Sequence, residues 1–277
     1  MGARTEEITL SQIGKEVIES AGRHLVNFSL GFVKLEQTPK GEAATLAGSG
    51  TLVQADQVYA ILTAQHVIKE LPRKGNLGLV LHGKIGRFVI QAQDLQFVEI
   101  ASGSPDRDGP DLGAVILSPE IAGSLLAKKS FFNLTKRKDH MLNAPPGIDD
   151  GIWLLLGFVA KRTTEKAGTG GYDLLMSFVE FVLAGVVDPP FERNGHDYFD
   201  LLVGFNDPGV PRDFAGMSGG GLWQVSLKKD AVGQLSYKEA ILCGVAFYQG
   251  PVEANRSLVR CHGRRSIYEV AHEALAA

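Results

Sequence analysis

The sequence lacks the features that mark several large protein classes. Only 2 of its 277 residues are cysteine, so a disulfide-stapled secreted scaffold is not expected. Basic and acidic residues nearly balance, 28 against 31, and the resulting charge of −3 gives no general electrostatic reason to expect nucleic acid or an anionic membrane as a partner. The longest apolar run, residues 152–160, is far shorter than the roughly 20 residues that span a bilayer. The composition therefore predicts a protein that binds neither nucleic acid nor membranes.

Patterns for metals, phosphates and redox thiols are absent as well. Cys243 and Cys261 have no C-x-x-C spacing, and no G-x-x-x-x-G-K-[ST] motif occurs. His196 and Asp200 would share one face of a strand, but they would lie about 13 Å apart along it. We therefore expect no cofactor and no metal. The first twenty residues are acidic and amphipathic and have no apolar signal core, so we expect a cytoplasmic location.

Glycine is abundant, and its distribution predicts many short strands. It makes up 33 of 277 residues, or about 12%, against a norm of about 7%. Short runs rich in Val, Ile, Leu and Phe, separated by Gly, Asp, Asn and Pro, recur between residues 24 and 117 and again between 152 and 248. Helical spacing of apolar residues predicts a first helix over 6–22 and a last helix near the end of the chain. The stretch 126–150 between the two sets is basic and is expected to be irregular, with 136–138 on a solvated loop. Two sets of strands predict two β-barrels or sandwiches.

Ser218 lies in a glycine-rich turn, residues 214–223, directly before an apolar strand. A nucleophilic serine needs an exposed hydroxyl and nearby backbone N–H groups that point at a developing oxyanion. Glycines let the backbone turn sharply and leave such donors unobstructed. The same residues would also suit a simple tight turn that happens to contain serine, and the pattern alone does not decide between the two.

Two further polar residues lie at the ends of apolar runs. His66 follows the strand that ends at residue 63, and Asp111 precedes the strand 112–117. Singly, each is typical of a structural or turn residue. In the order His, Asp, Ser, with separations of 45 and 107 residues, the three motifs TAQH at 63–66, PDLGAV at 110–115 and GMSGGG at 216–221 resemble those of the chymotrypsin-like (trypsin-fold) serine peptidases. The resemblance covers about residues 25–270, and Met217 before the serine is similar to the bacterial trypsin-like group.

The resemblance implies an all-β fold of two six-stranded antiparallel β-barrels with N-terminal and C-terminal helices. It divides the chain into an N-terminal helical segment (1–23), a first barrel with His and Asp (24–128), a second barrel with Ser (129–265) and a C-terminal helix (266–277). It also implies a serine endopeptidase that forms an acyl-enzyme. Ser218 would attack, His66 would carry the proton, Asp111 would orient the imidazole, and the N–H groups of Gly216 and Ser218 would form the oxyanion hole.

Several residues depart from that family's pattern. Met217 and Val67 replace an Asp and a Cys found in animal digestive members, so neither their activation switch nor their local disulfide is expected. The late strand 242–248 looks like the strand that flanks the substrate, and Phe247, Tyr248 and Gln249 would then contact it. Arg212 falls near the pocket floor by simple counting. An arginine floor would favour acidic side chains and a pocket narrowed by Gln249 would favour small ones, so the resemblance leaves specificity open.

Two other functions remain compatible with the sequence. The chain would be a binding or scaffold module if it kept the fold and lost turnover, which the substitutions at Gln65, Phe247 and Gln249 would suit. It would be an esterase if the same three residues act on esters. The expected partner is a polypeptide substrate. Because no PDZ-like or membrane segment follows the second barrel, we expect a stand-alone peptidase or one acting with partner proteins in a multi-protein system.

Overall fold

A computed structural model describes residues 13–39, 41–81, 88–104, 106–167 and 174–277. The α-helices are α1 (Lys15–Leu25), α2 (Gln65–Glu70), α3 (Pro119–Leu126), α4 (Thr135–Asn143) and α5 (His272–Ala276), with a π-helix at Ser266–Ala271 before α5. The strands are β1 (Ser29–Thr38), β2 (Gly41–Ala55), β3 (Val58–Thr63), β4 (Asn76–Val80), β5 (Phe88–Gln91), β6 (Gln96–Ala101), β7 (Leu112–Ile116), β8 (Phe132–Asn133), β9 (Ile152–Phe158), β10 (Thr164–Ala167), β11 (Leu174–Ser177), β12 (Glu180–Val187), β13 (Phe191–Arg193), β14 (His196–Gly204), β15 (Gly221–Lys229), β16 (Leu235–Gln249) and β17 (Arg256–His262).

The strands form two large sheets, one from each half of the chain. In the first, the order is β5-β4-β1-β2-β3-β7-β6, and β8 adds a short parallel pairing to β2. In the second, the order is β12-β9-β15-β16-β17-β14-β13, and β12 also pairs with β14. That extra pairing joins both ends of a six-strand path, so the pairing in the second sheet runs in a ring. β10 and β11 form a separate hairpin.

The predicted all-β fold with terminal helices is confirmed. Among the described residues the first sheet has eight strands and the second seven, where six each were expected. Two of the additional strands, β8 and β13, have only two and three residues. The expectation for the first helix is met in part: α1 begins at Lys15, and residues 6–12 lie outside the described residues. The division of the chain into four segments stays a prediction.

The expectation of an irregular stretch over 126–150 was wrong in part, because helix α4 (Thr135–Asn143) lies within it. Helix α3, which ends where that stretch begins, has Ser118 as its N-cap, which accepts a hydrogen bond from the Ile121 N–H, and Pro119 takes the first helical position. The basic residues 136–138 lie on helix α4 rather than on a loop. Met141 is the one fully buried side chain of α4, so an apolar stripe that would predict this helix is nearly missing.

The buried apolar side chains form two clusters that both cross between the sheets. One fills the first sheet and includes Tyr198 and Phe247 from the second. The other packs against the second sheet and includes Val53 of β2 together with side chains of α1 and α5. The two sheets therefore share buried surface, and residues at their junction are held from both sides. None of the helices in the described ranges is long and apolar enough to cross a membrane.

Candidate active site

His66 and Asp111 meet at the edge of the first sheet. His66 lies in the first turn of α2, which begins two residues after β3 ends, and Asp111 directly precedes β7, the strand paired with β3. One carboxylate oxygen of Asp111 accepts a hydrogen bond from the His66 main-chain N–H at 2.8 Å. The other accepts one from Nδ1 of the same residue. The imidazole therefore carries a proton on Nδ1, which leaves Nε2 as its acceptor and possible base.

The burial of this pair is strongly asymmetric. The Asp111 side chain is 2% exposed, whereas the His66 side chain is 32% exposed. A carboxylate shielded from water and bound at both oxygens holds the ring in one orientation, while about a third of the His66 side chain stays accessible. This is the arrangement that a general base needs: one tautomer, one orientation and an open Nε2.

Asp111 is held from behind by His262, which the sequence gave no reason to single out. The Asp111 N–H donates to His262 Nε2 at 2.9 Å, and His262 is fully buried. Burial, reinforced by the neighbouring His196, lowers the pKa of His262 to about 3, so the ring is neutral and its Nε2 can accept. His262 lies 151 residues from Asp111. No local motif could have linked them.

Ser218 lies in a tight turn between Phe214 and the start of β15. Gly216 and Gly219 have φ angles of +94° and +90°, conformations that strongly favour glycine. A Cβ on Gly219 would collide with the Ser49 carbonyl oxygen and the Thr63 hydroxyl. The glycines are therefore required by backbone conformation and close approach, and they let the serine turn lie directly on the first sheet.

Contacts with β2 bring the Ser218 turn beside His66. The Ser49 N–H donates to the Ser218 carbonyl at 2.7 Å, and the Ser49 hydroxyl donates to the Gly216 carbonyl at 2.7 Å. A Cβ built on Gly48 would meet both the Val67 side chain and the Ser218 carbonyl. Val67, the residue that follows His66, and the Ser218 carbonyl therefore both lie against Gly48. The structure therefore places the backbone of Ser218 close to the segment that carries His66, the partner of Asp111.

Two N–H groups of the Ser218 turn have no partner among the residues that the structure describes. Within the described ranges, the N–H groups of Gly216 and Ser218 donate no hydrogen bond. Their neighbours in the turn all donate one: Ala215 to Asp213 Oδ1, Met217 to Phe214 O, Gly219 to Ala246 O and Gly220 to Met217 O. Both Gly216 and Ser218 are partly exposed, so these two donors are open to a ligand with a developing negative charge.

The Ser218 hydroxyl also makes no hydrogen bond to any described residue, and neither does His66 Nε2. The arrangement therefore supplies an uncommitted hydroxyl and an uncommitted imidazole nitrogen on adjacent segments. In unliganded enzymes such pairs are often loose and tighten when substrate binds.

The four residues expected to contact substrate lie in different surroundings. Phe247 is buried, and its ring packs on His262 with 4.9 Å between centroids. Tyr248 and Gln249 are partly exposed at the end of β16. The Gln249 side chain accepts a hydrogen bond from the Phe214 N–H at Oε1 and donates one from Nε2 to the Arg212 carbonyl. The Arg212 side chain is exposed, and its guanidinium donates to Asn255 Oδ1 at 3.0 Å.

Of the two residues considered for metal binding, His196 and Asp200, the second is engaged elsewhere. Asp200 forms a two-point ion pair with Arg260. Among the residues that the structure describes, no group of three or more His, Cys, Asp or Glu side chains could hold a metal ion. Cys243 and Cys261 are both free and buried.

Neither a protein-family model nor a curated protein sequence matches this chain. Solved structures with a similar fold include the serine endoprotease from Yersinia pestis, at 15% identity and a TM-score of 0.49 over 94% of this chain and 66% of that one. A Sesbania mosaic virus structure, from work on coupled folding and binding of its VPg protein, has 17% identity and a TM-score of 0.42 over 87% and 89%. Catalytically inactive tobacco etch virus protease with substrate has 11% identity and a TM-score of 0.38 over 91% and 86%.

Proposed function

We propose that the chain is a serine endopeptidase in which Ser218 is the nucleophile. Ser218 Oγ attacks the peptide carbonyl carbon while His66 Nε2 takes the hydroxyl proton. The same proton passes to the leaving amine nitrogen as the C–N bond breaks, and an ester remains on Ser218. Water, deprotonated by His66, then cleaves the ester and releases the acid. Asp111 keeps its charge throughout and stabilises the imidazolium.

The observation that carries the proposal is the double hydrogen bond from Asp111 to His66. A carboxylate that binds both the main-chain N–H and Nδ1 fixes the ring and its tautomer, and Asp111 itself is buried. A histidine with a merely structural role would not need Nε2 left open beside a serine in a glycine-rich turn. Removing such an orienting carboxylate in well-studied serine proteases costs about 10⁴ in rate.

The two unpaired N–H groups of the turn support the same reaction. The tetrahedral intermediate carries a negative oxygen that needs donors fixed in advance. Gly216 and Ser218 would supply them. Loss of one such donor raises the barrier by about 3–4 kcal/mol.

An extended polypeptide is the substrate that the crevice suits. Pairing of β15 with β16 ends at Gly221 and Val245, so residues 247–249 have no β15 partner on the side that faces the Ser218 turn. A peptide chain can add to such an unpaired edge through main-chain hydrogen bonds. Phe247, Tyr248 and Gln249 would then line the acyl side of the scissile bond.

We also propose the bacterial trypsin-like type, since the residue before Ser218 is the buried Met217 and cannot pair with a new N-terminus. A cytoplasmic location is part of the proposal, because two free cysteines suit a reducing compartment. Partner proteins of a multi-protein system would be sources of substrate.

Hydrolysis of a peptide library tests the proposal. The wild type and a Ser226→Ala control, which changes a serine outside the crevice, should cleave the same peptides. Ser218→Ala should lose activity by a factor on the order of a million, which places it at the assay background. Parallel assays with matched esters separate an esterase, which would cleave esters alone. A folded wild-type protein that cleaves neither class would favour the inactive scaffold.

A further inference from the structure

Two chain segments, residues 212–218 and 247–249, form the walls of a crevice beside Ser218, and they diverge from the point where residues 219–220 pair with Ala246. The Gly219 N–H donates to the Ala246 carbonyl at 2.7 Å, and the Ala246 N–H donates to the Gly220 carbonyl at 2.9 Å. From this point, residues 212–218 lead away as one wall and residues 247–249 as the other. A substrate side chain next to the attacked carbonyl would enter the space between these walls.

The side chain of Gln249 ties the two walls together. Its Oε1 accepts the Phe214 N–H at 2.8 Å, and its Nε2 donates to the Arg212 carbonyl at 2.9 Å. A single amide therefore binds the facing wall at two points, two residues apart. The amide is also 3.4 Å from the Ser257 hydroxyl, which belongs to β17 and fixes it from the other side. Gln249 thus crosses the space that a large side chain would need.

The space behind this bridge is filled with aromatic rings. Phe214 is 4% exposed, and its ring lies against that of Phe205 with centroids 5.8 Å apart. Depth beyond the volume of the Gln249 side chain itself would require both rings to move, which close packing opposes.

The charged side chains of the wall are engaged elsewhere. Arg212 is exposed and bound to Asn255, and Asp213 pairs with Lys161 at 2.9 Å. The Lys161 hydrogen bond also lowers the pKa of the Asp213 carboxyl. The Asp213 charge is therefore paired with Lys161, and the exposed Arg212 guanidinium is bound to Asn255 rather than lying at the pocket floor that counting along the sequence suggested.

We propose that Gln249 is a specificity-determining residue that closes this crevice and restricts the acyl-side residue of the substrate to a small, uncharged side chain: Gly, Ala or Ser. The inference rests on the proposed peptidase function. It narrows the substrate class to peptides with such a residue directly before the scissile bond. Size exclusion is the means, since the bridge leaves no room and an unpaired buried polar group would penalise its displacement.

Peptide binding to a Ser218→Ala protein tests this without requiring catalysis. We would titrate the ¹⁵N-labelled variant with acetyl-Ala-Ala-X peptides that end in a free carboxylate, with X as Ala, Phe or Glu. Because the carboxylate resembles the cleaved product, X occupies the crevice. The Ala peptide should bind at least about tenfold more tightly than the Phe and Glu peptides.

Variants at residue 249 decide the role of the bridge. Adding Gln249→Gly to the Ser218→Ala protein is expected to raise its affinity for the Phe peptide, so that the affinities for the Ala and Phe peptides differ by no more than about threefold. If the glycine variant does not fold, Gln249→Ser replaces it. Gln249→Glu retains the size and the acceptor for Phe214 and should still exclude Phe. Gln91→Gly removes an exposed amide from β5 and should change nothing.

The inference is overturned if the protein with Gln249 intact binds all three peptides equally. It is also overturned if Gln249→Gly leaves the ratio of the Ala and Phe affinities unchanged. If none of the three peptides binds, the inference is also overturned, since the crevice would then not receive substrate. Failure of the peptidase proposal is seen separately, as absent hydrolysis by the wild type.

Discussion

Asp111 has partners on two sides, and the two sets of partners serve different needs. Toward the crevice its carboxylate binds His66, and toward the core its N–H binds the neutral His262. His262 is enclosed by aromatic rings, with Phe247 and Tyr198 at centroid distances of 4.9 and 5.2 Å. A charged imidazole in this position would be poorly solvated and would lose its acceptor nitrogen. The position of Asp111 therefore depends on His262 remaining unprotonated.

This dependence predicts a specific effect of pH on stability. The pKa of His262 is about 3 in the folded chain and about 6.5 when unfolded, so between these values the unfolded state binds the extra proton. Stability from this group is complete above about pH 6.5 and falls as the pH drops, by up to about 1.4 kcal/mol per unit. Urea unfolding from pH 4 to 7 should show a shallower slope for His262→Asn than for the wild type. The exposed His140→Asn control should retain the wild-type slope, and equal slopes for all three proteins would contradict this account.

Residues of the site differed in how far the sequence could identify them. Ser218, His66 and Asp111 stand in local patterns, each beside a glycine or at a strand end, and their order along the chain was informative. His262 stands in no such pattern, and its partner becomes evident only when β17 lies behind Asp111. The effect of Gln249 was foreseen as bulk, but the two hydrogen bonds that make it a bridge depend on the path of residues 212–214.

At the scale of elements, the Ser218 turn is positioned by strand β2 rather than by its own sheet alone. Ser49 on β2 is fully buried, and its hydroxyl donates to Gly216 O and accepts the Phe158 N–H at 2.8 Å. One hydroxyl thus links β2 to both the turn and strand β9. Thr51 adds a third contact, donating to the Gly219 carbonyl at 3.1 Å.

Ser49→Ala should therefore weaken the fold and the site together. The substitution leaves the buried Phe158 N–H and the partly buried Gly216 carbonyl without this partner, at a cost of about 1–3 kcal/mol. It should also slow any reaction at Ser218, because Gly216 loses the contact that fixes it. Urea unfolding and peptide hydrolysis measure the two effects, with Ser226→Ala on β15 as the control. If Ser49→Ala and Ser226→Ala behave alike in both assays, β2 does not position the turn.

The strands were more predictable than the helices, for a physical reason. Short apolar runs between glycines predict strands best where the strand is buried along most of its length, as in β9, where all seven residues are buried. Helix α3 has a visible start in Ser118 and Pro119. Helix α4 has no apolar stripe and is held by polar contacts such as the Arg137–Glu239 ion pair, which no periodicity reveals.

At the scale of the whole molecule, buried polar contacts join the two sheets behind the site. Arg260 on β17 binds Asp200 through two hydrogen bonds of 2.7 and 2.6 Å. Its remaining guanidinium nitrogen donates to the Arg107 carbonyl at 2.6 Å, in the loop that leads to Asp111. A second contact, between Arg193 and Asp108, lies on the surface of the same loop. The loop that carries Asp111 into the first sheet is thus positioned partly by a cation of the second sheet.

Arg260→Ala should destabilise the molecule by about 3–5 kcal/mol, since it leaves the Asp200 carboxylate buried without its partner. The Arg260 and Asp200 side chains are 5% and 10% exposed, so water cannot replace the lost contact. Arg265→Ala, which breaks an exposed pair with Glu192, should leave the urea midpoint near that of the wild type. An Arg260→Ala midpoint as high as that of Arg265→Ala would contradict the proposed role of this ion pair.

The sequence predicted two sets of strands and a helix near each end, but not how the ends of the chain attach to the sheets. The amphipathic stripe of α1 shows that the helix packs on something, without showing what. In the structure, Gly22 of α1 lies against Val182 of the second sheet, although α1 directly precedes the first. Such long-range docking depends on the shape of both surfaces, which periodicity does not encode.

The central claim is that His66 and Asp111, both distant from Ser218 in the sequence, make the Ser218 hydroxyl reactive. Labelling with a fluorophosphonate, followed by peptide mapping, measures this most directly because it needs no knowledge of the substrate. The account predicts modification of the wild type at Ser218, none in Ser218→Ala, and labelling slowed by about 10⁴ in Asp111→Asn. A folded wild-type protein that is not labelled, or is labelled equally after Ser218→Ala, would contradict it.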